Sequence, residues 1–332
     1  MEQSIIPQRG NGPIRVGLLS NPKSGRNKRH FPSFRPLFQS YANLLHAEVV
    51  TPDEIAKALA GFAEQEVELV VTNGGDGTVQ ATVDALMNDQ VFPAMPLLAV
   101  LPSGTANLIA GDVGLGPYRP ETIRQLMEMP TARLLGALEK RALLRLKFPD
   151  GRRPMYGMFF GVGAIYYGTQ LGRATKQSIG RLGEWGAGLI LAKFLVALAA
   201  GSKKGLHAVP IGLSLGKAEL MRQEYLVLFV TTLDRLFLGM KPFWSSELGP
   251  LHCTGLTVPY RYLWRCLPAL LRGKEHPFAI AQHGYMSHNP SEIHLQLTSG
   301  FVLDGEVYDP PGMEQPMVLE SGGDLSFVRL PS

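Results

Sequence analysis

The run Gly74-Gly75-Asp76-Gly77-Thr78 constrains this chain most. It follows the apolar run Leu69-Val70-Val71 and precedes an amphipathic segment from Val79 to Met87, so it reads as the turn between a strand and a helix. Glycines there let backbone approach phosphate oxygens with no Cβ in the way. The helix N-terminus behind them offers unpaired N–H groups and the positive end of a dipole. Asp76 sets a carboxylate where a phosphate-bound metal would stand. Asn-Gly and Asp-Gly pairs form turns in any protein, so one such run decides nothing alone.

Two more small-residue turns follow short apolar runs. Asn21-Pro22-Lys23-Ser24-Gly25 comes after Ile14 to Leu19, and Leu101-Pro102-Ser103-Gly104-Thr105-Ala106-Asn107 comes after Leu97 to Val100. In an open α/β sheet, ligands bind beyond the C-terminal ends of the strands. Three such loops on one sheet edge predict a single binding site for a nucleotide polyphosphate.

Strand and helix signals alternate over residues 14–137, which predicts a parallel, doubly wound α/β domain. Val16 to Leu19 and Ala47 to Val50 read as strands. Thr51-Pro52-Asp53-Glu54 reads as a capping box with Pro at the first helical position, opening a helix that runs to about Phe62. From 138 to 332 the texture is β-rich. Strands are expected over 142–148, 155–160, 211–215, 225–231, 293–297, 301–303 and 327–330, with one helix around 179–200. The last segment is expected to rejoin the first domain. The chain has 332 residues, 45% of them hydrophobic, enough for two domains with real cores.

Net charge is +4 and no basic run or nucleic-acid signature is present, so nucleic acid is not an expected partner. Met1 to Pro13 reads as a frayed polar tail. Cys253 and Cys266 lack metal-ligand spacing. With no secretory segment they are expected to be free thiols in a reducing compartment. Gly186 to Ala200, broken by Lys193, is shorter than the ~20 residues a bilayer span needs.

In that order, Asn21-Pro22-Lys23-Ser24-Gly25, Gly74 to Thr78, Pro102 to Asn107 and Leu303-Asp304-Gly305-Glu306 resemble the motifs of the diacylglycerol kinase catalytic-domain family. The likeness is to its soluble bacterial lipid kinases, relatives of sphingosine and ceramide kinases, and covers nearly the whole chain. It implies an N-terminal α/β domain like that of NAD kinases and diacylglycerol kinases, a C-terminal β-sandwich-like domain, and an active site in the cleft between them. It further implies ATP and Mg²⁺ as cofactors and transfer of the γ-phosphoryl group to a lipid hydroxyl, with diacylglycerol the first acceptor to consider.

Carried over by position, Asn21, Ser24, Gly25, Gly74, Gly75, Asp76, Gly77, Thr78, Gly104, Thr105 and Asn107 would bind the nucleotide, and Asp76 would also serve the metal and the catalysis. Thr51 stands where the family has a nucleotide-contacting threonine; a helix N-cap explains it equally well. Asp304 is the implied general base. Read from the residues alone, Asp304-Gly305 is the two-residue turn of a hairpin between Phe301-Val302-Leu303 and Glu306-Val307-Tyr308.

The chain departs from the family pattern in three places. Gln80-Ala81 replace Asn-Glu after the second motif, Leu108 replaces an Asp after the third, and Leu248-Gly249-Pro250-Leu251 lacks the Asp of a metal-binding turn. Asp112, one helical turn beyond Leu108, is a candidate to replace the missing carboxylate.

The apolar stretch Arg181 to Ala200 suits either a helix over the core or one that admits acyl chains. Residues 260–272 mix Tyr262, Trp264 and leucines with Arg261, Arg265 and Arg272, which suits a membrane interface or an ordinary amphipathic helix. His276, His283, His288 and His294 cluster in sequence without metal-site spacing. The expected partners are ATP and a membrane lipid acceptor, met by peripheral contact at the cytoplasmic face of the inner membrane; homodimer formation is left open. The rival readings are a kinase for a soluble acceptor, of the NAD kinase type, and a catalytically weak nucleotide- or lipid-binding regulator.

Overall fold

The computed structural model describes residues 13–174, 208–309 and 315–330. The expected helix around 179–200 and the N-terminal tail through residue 12 lie outside the described residues. The chain divides into two compact units, one running to Arg141 and taking back Asp324 onward, the other spanning Ala142–Gly323.

The first unit alternates β1 (Val16–Ser20), α1 (Asn27–Gln39), β2 (Leu44–Glu48), α2 (Pro52–Glu64), β3 (Leu69–Gly74), α3 (Asp76–Asp89) and β4 (Leu97–Pro102). Three shorter helices follow: α4 (Leu108–Val113), α5 (Pro120–Met127) and α6 (Thr131–Leu135). The strands lie in the order β4-β3-β1-β2, all parallel, and Phe327 near the C-terminus pairs parallel with Leu98 of β4.

From β1 to β2 the chain steps one way across the sheet, and from β2 to β3 it steps back past β1. Crossovers between parallel strands are right-handed, so the two connecting helices fall on opposite faces. Phe31, Phe34 and Phe38 of α1 accordingly pack with Val16, Leu18, Leu69 and Val71. Gly17, on the alternate side of β1, lies against Phe62 of α2, and a Cβ there would meet that ring at 2.5 Å. Strand order therefore reverses between β1 and β3, the place in an open sheet where loops part and a ligand can enter.

Helix α1 was hidden in the sequence because Pro32 and Pro36 lie inside it. Each removes a backbone donor. Burial of three Phe side chains, about 1.5–3 kcal/mol each, offsets that loss. Strand β2 lies at Leu44–Glu48, three residues earlier at its start than the pattern suggested.

The second unit is antiparallel. Its strands are β5 (Leu138–Lys147, from Ala142 on), β6 (Met155–Gly157), β7 (Phe159–Gly163), β8 (Val209–Leu215), β9 (Met221–Thr231), β10 (His252–Thr257), β11 (Tyr285–His288), β12 (Glu292–Leu297), β13 (Phe301–Leu303), β14 (Glu306–Tyr308) and β15 (Met317–Val328, up to Gly323). Helix α7 (Ala164–Ala174) follows β7, and α8 (Leu263–Leu270) follows β10. Strand β9 pairs with β8 through Met221–Tyr225, with β7 through Val227–Thr231, and with β10 over Tyr225–Thr231. That triple pairing wraps the strands about one core, in which Phe160, Ile211, Leu228, Leu295 and Leu303 are buried. Strands β10 and β11 were not read from the sequence, and β15 begins ten residues before the expected Phe327. No helix among the described residues is long and apolar enough to cross a membrane.

Candidate functional site

The loops after β1, β3 and β4 meet glycine to glycine. A Cβ on Gly104 would fall 2.4 Å from the Cα of Gly75, and one on Gly25 would lie 3.1 Å from Thr105 Oγ1 and 3.4 Å from Gly104. No side chain could stand at Gly104 without the loops moving apart. Gly74 serves the turn itself, since a Cβ there would overlap Thr78 at 2.4 Å. Hydrogen bonds bridge the same loops. Gly75 N donates to Ser24 Oγ at 3.2 Å, Asn21 Nδ2 to Thr78 Oγ1 at 3.2 Å, and Arg26 N to Ser103 O at 2.8 Å. The structure thus brings together Asn21, Ser24, Gly25, Gly74 to Thr78, Gly104, Thr105 and Asn107.

Beneath the loops lies a polar network that sequence reasoning missed. Asn27, buried at the start of α1, donates to both Asn21 O (2.8 Å) and Asn73 O (3.0 Å), tying the first loop to the second. Tyr118 stacks on Phe34 at 4.7 Å and donates its hydroxyl to Asn27 Oδ1 at 2.5 Å. Burial pushes the Tyr118 phenol up to about 12, so it stays a donor at neutral pH. Asn73 Nδ2 donates to Ser20 Oγ at 3.2 Å. A buried Asn at the end of a strand was the one visible signal; the partners are up to 91 residues apart in sequence.

Helix α3 opens at Asp76 behind Gly75, whose backbone is extended as an N-cap residue's should be. The Asp76 carboxylate does not face its own helix alone. Its Oδ1 accepts the Ile109 N–H at 3.0 Å, capping α4 from across the loops. Asn107, the residue before α4, has a left-handed backbone (φ +51) and turns its amide to Gly104 O at 3.1 Å instead. Burial pushes the Asp76 carboxyl up, against the downward pull of N–H groups at Ile109, Leu108, Asp76 and Asn107.

The chemistry of these residues fits a nucleotide polyphosphate. They offer a helix N-terminus, close-packed glycines, and the buried polar atoms Ser103 Oγ, Asn107 Oδ1 and Asn73 Oδ1, which lack hydrogen-bond partners. Among the described residues no group of three or more His, Cys, Asp or Glu could hold a metal ion. Asp76 is the carboxylate in these loops that could help hold a Mg²⁺ arriving on phosphate oxygens with its own waters.

Thr51 caps α2: its Oγ1 accepts the Glu54 N–H at 3.3 Å while Glu54 Oε2 accepts from Val50 N (2.6 Å) and Thr51 N (3.1 Å). These amides, with a smaller contribution from Lys23 of the first loop, hold the Glu54 carboxyl below its ordinary range. Asp112 is not a loop carboxylate. It is buried, with its Oδ2 paired to Arg141 Nε at 2.8 Å, and so does not replace the acid missing at Leu108. The clustered histidines are separate: His276 contacts Cys266, His283 the Phe278 carbonyl, His288 Glu247, and His294 Glu292. Glu247, beside the turn at Leu248, also accepts the Asn289 N–H at 2.7 Å.

In the second unit Asp304 sits in the turn between β13 and β14, with φ +46, followed by Gly305 at φ +81. Two positive φ values across a two-residue loop are the hairpin geometry the sequence signalled. The side chain does more than turn the chain. Strand pairing breaks at Met158, between β6 and β7. The Asp304 carboxylate takes up the stranded donors there, accepting Phe159 N at 2.8 Å and Met158 N at 3.0 Å. Asp304 is 1% exposed, and a Cβ on Gly157 would lie 2.6 Å from its Oδ2.

Residues 15–134 match the family model of the diacylglycerol kinase catalytic domain. Among curated proteins, a probable lipid kinase YegS-like of Chromohalobacter salexigens is 38% identical over 72 residues, covering 22% of this chain and 23% of its own length. A diacylglycerol kinase of Bacillus subtilis is 31% identical over 105 residues, covering 30% of this chain and 33% of its own. The alignments thus span well under two thirds of either relative. Two solved structures from Bacillus anthracis str. Sterne, both described as putative diacylglycerol kinases, superpose with TM-scores of 0.66 and 0.64 at 16% identity, over 96% of this chain and 97% of theirs. They share its fold.

Proposed function

We propose, from the kinship of residues 15–134 with the diacylglycerol kinase catalytic domain, that the protein is a kinase transferring the γ-phosphoryl group of ATP to the hydroxyl of a membrane lipid, diacylglycerol first. The observation that carries this reading is the contact of Gly75 with Gly104, which fuses the loop after β4 to the loop after β3, beside the sheet's switch point.

ATP supplies the phosphoryl group, and Mg²⁺ the charge that offsets its oxygens. Phosphoryl transfer passes through a loose transition state, so the protein's part is to position and to neutralise. Ser24, Gly25, Gly75, Gly77 and Gly104 would cradle the phosphates with backbone and hydroxyl groups, and Asn21 and Thr78 would fix the loops. Thr51 would contact the nucleotide from the end of β2 while capping α2. Asp76 would orient the metal's waters from a place fixed by α4. Asp304 would take the proton of the acceptor hydroxyl, its carboxylate held in one orientation by the Met158 and Phe159 amides. The reaction would occur at the cytoplasmic membrane face, because the acceptor stays in the bilayer.

The direct test is transfer from radiolabelled ATP to total bacterial lipid in mixed micelles with Mg²⁺, with the intact chain beside Asp304→Asn and thermal melts of both. A labelled lipid made only by the intact chain supports the reading. Equal labelling removes Asp304 as the base. No labelled lipid from either favours a soluble acceptor, for which NAD is the first trial, or a nucleotide-binding regulator. The regulator has one observation behind it: Asp112 is committed to Arg141, leaving Asp76 as the sole carboxylate in the matched loops.

A further inference from the structure

Helix α8 in the second unit buries Leu263, Cys266 and Leu270 against Leu226 and Tyr285. That leaves Trp264, Pro268 and Leu271, spaced four and three residues apart, on one outward face. Trp264 is 50% exposed. The turn at Phe237–Gly239 lies alongside, tied to the helix end by Lys241 N donating to Leu271 O at 3.0 Å. Leu238 at its tip is 68% exposed and has a left-handed backbone at φ +54. A groove of about 470 Å³ between turn and helix joins Leu238 to Pro268 and Leu271. Tyr262, at the helix start, also has positive φ (+59) and stacks on the exposed Phe278. Left-handed backbone at two bulky residues is costly and usually serves a purpose.

Charge decides what this surface fits. Residues 237–243 and 260–274 contain Lys241, Arg261, Arg265, Arg272 and Lys274 and no Asp or Glu; the next acid is Glu275. All five cations are exposed. Scattered exposed apolar groups are ordinary, but a contiguous apolar ridge rimmed by one sign of charge is not. Protein interfaces also favour Trp, Tyr and Arg, but an excess of five cations over no acid around an apolar ridge is complementary to lipid phosphates, and Trp and Tyr mark the headgroup level of a bilayer.

We propose that the outer face of α8 and the Leu238 turn form a docking surface for an anionic lipid bilayer, with Leu238 and Trp264 entering the headgroup–acyl boundary and the arginines and lysines meeting lipid phosphates. The purpose of this contact rests on the lipid-kinase reading, since it brings the chain to an acceptor that cannot leave the membrane. The contact itself can be measured without turnover.

The test is flotation of the full chain with vesicles, in the absence of nucleotide. One set is phosphatidylcholine alone; the other contains about one-third phosphatidylglycerol. The intact chain is expected on the anionic vesicles only. Arg265→Gln with Arg272→Gln should weaken that binding about 25-fold, at roughly fivefold per cation. Leu238→Ser with Trp264→Ser should weaken it on the order of tenfold. Unchanged melts and unchanged phosphorylation of a short-chain, water-dispersed acceptor would show that both variants fold. The proposal is overturned if the intact chain binds neither vesicle, binds both alike, or binds no better than the two variants. A chain that floats normally but phosphorylates no lipid would overturn the functional reading and leave this surface standing.

Discussion

Two Asp-Gly turns serve this molecule in different ways. At Asp76-Gly77 the turn starts a helix, and the partly buried carboxylate reaches over to cap α4. At Asp304-Gly305 the turn closes a hairpin, and the fully buried carboxylate receives the amides of a broken strand. Both side chains are held by backbone N–H groups of a segment far away in sequence. The difference is what each would leave behind. Removing Asp76 would leave one helix-end donor, the Ile109 N–H, without its cap. Removing Asp304, itself 1% exposed, would strand two donors, the Met158 and Phe159 N–H groups. The same dipeptide is thus a loop fastener in one unit and a core polar anchor in the other.

The largest effect should follow from that contrast. Asp304→Ala is expected to cost the second unit about 2–4 kcal/mol, from two unsatisfied buried N–H groups, measured by denaturant unfolding. Asp76→Ala should cost about 1 kcal/mol, the value of a helix cap. Equal losses would erase the distinction.

Next in size is Gly104→Ala, whose Cβ would overlap Gly75 at 2.4 Å. Overpacking of this kind costs about 1–3 kcal/mol, and hydrogen exchange should rise at the starts of α3 and α4 together. A rise at one loop only would mean the two are not fused. Thr51→Ala should then cost about 1 kcal/mol through the lost cap. If Thr51 also meets the nucleotide, ATP affinity falls beyond what that helix loss explains.

The smallest effect is a pH dependence. Burial raises the Asp76 carboxyl above its ordinary 3.8. An acid whose pKa is higher in the folded state contributes fully below its unfolded value and loses that contribution as pH rises through the folded one. The stability advantage of the intact chain over Asp76→Asn should therefore shrink as pH rises from 3.8 upward, read from melts of both. An advantage that grows instead would mean the α4 amides outweigh burial.

The elements that carry the candidate site were legible because each pairs a short apolar strand with a glycine-rich turn. Gly74 to Thr78, Ser103 to Asn107 and Asp304-Gly305 all announce backbone that must bend sharply or pack closely. The capping box at Thr51 was legible for the same reason: its geometry lies within four residues. What escaped depends on distance. Tyr118 and Asn27 meet only after the sheet has formed, and Asp112 looks available until Arg141 arrives from β5. Helix α1 escaped because its prolines outvote, locally, a Phe stripe whose burial is tertiary. Strand β15 starts at Met317, and Gly322-Gly323 inside it weaken its strand signal over the first half.

In the proposed function, three glycine loops of the first unit form one nucleotide site, separable from the carboxylate in the second. Titration of a non-hydrolysable ATP analogue with Mg²⁺ into the intact chain, Gly104→Ala and Asp304→Asn tests it directly. The intact chain and Asp304→Asn should bind alike, and Gly104→Ala at least about tenfold more weakly. Binding by Gly104→Ala as tight as that of the intact chain would contradict the claim.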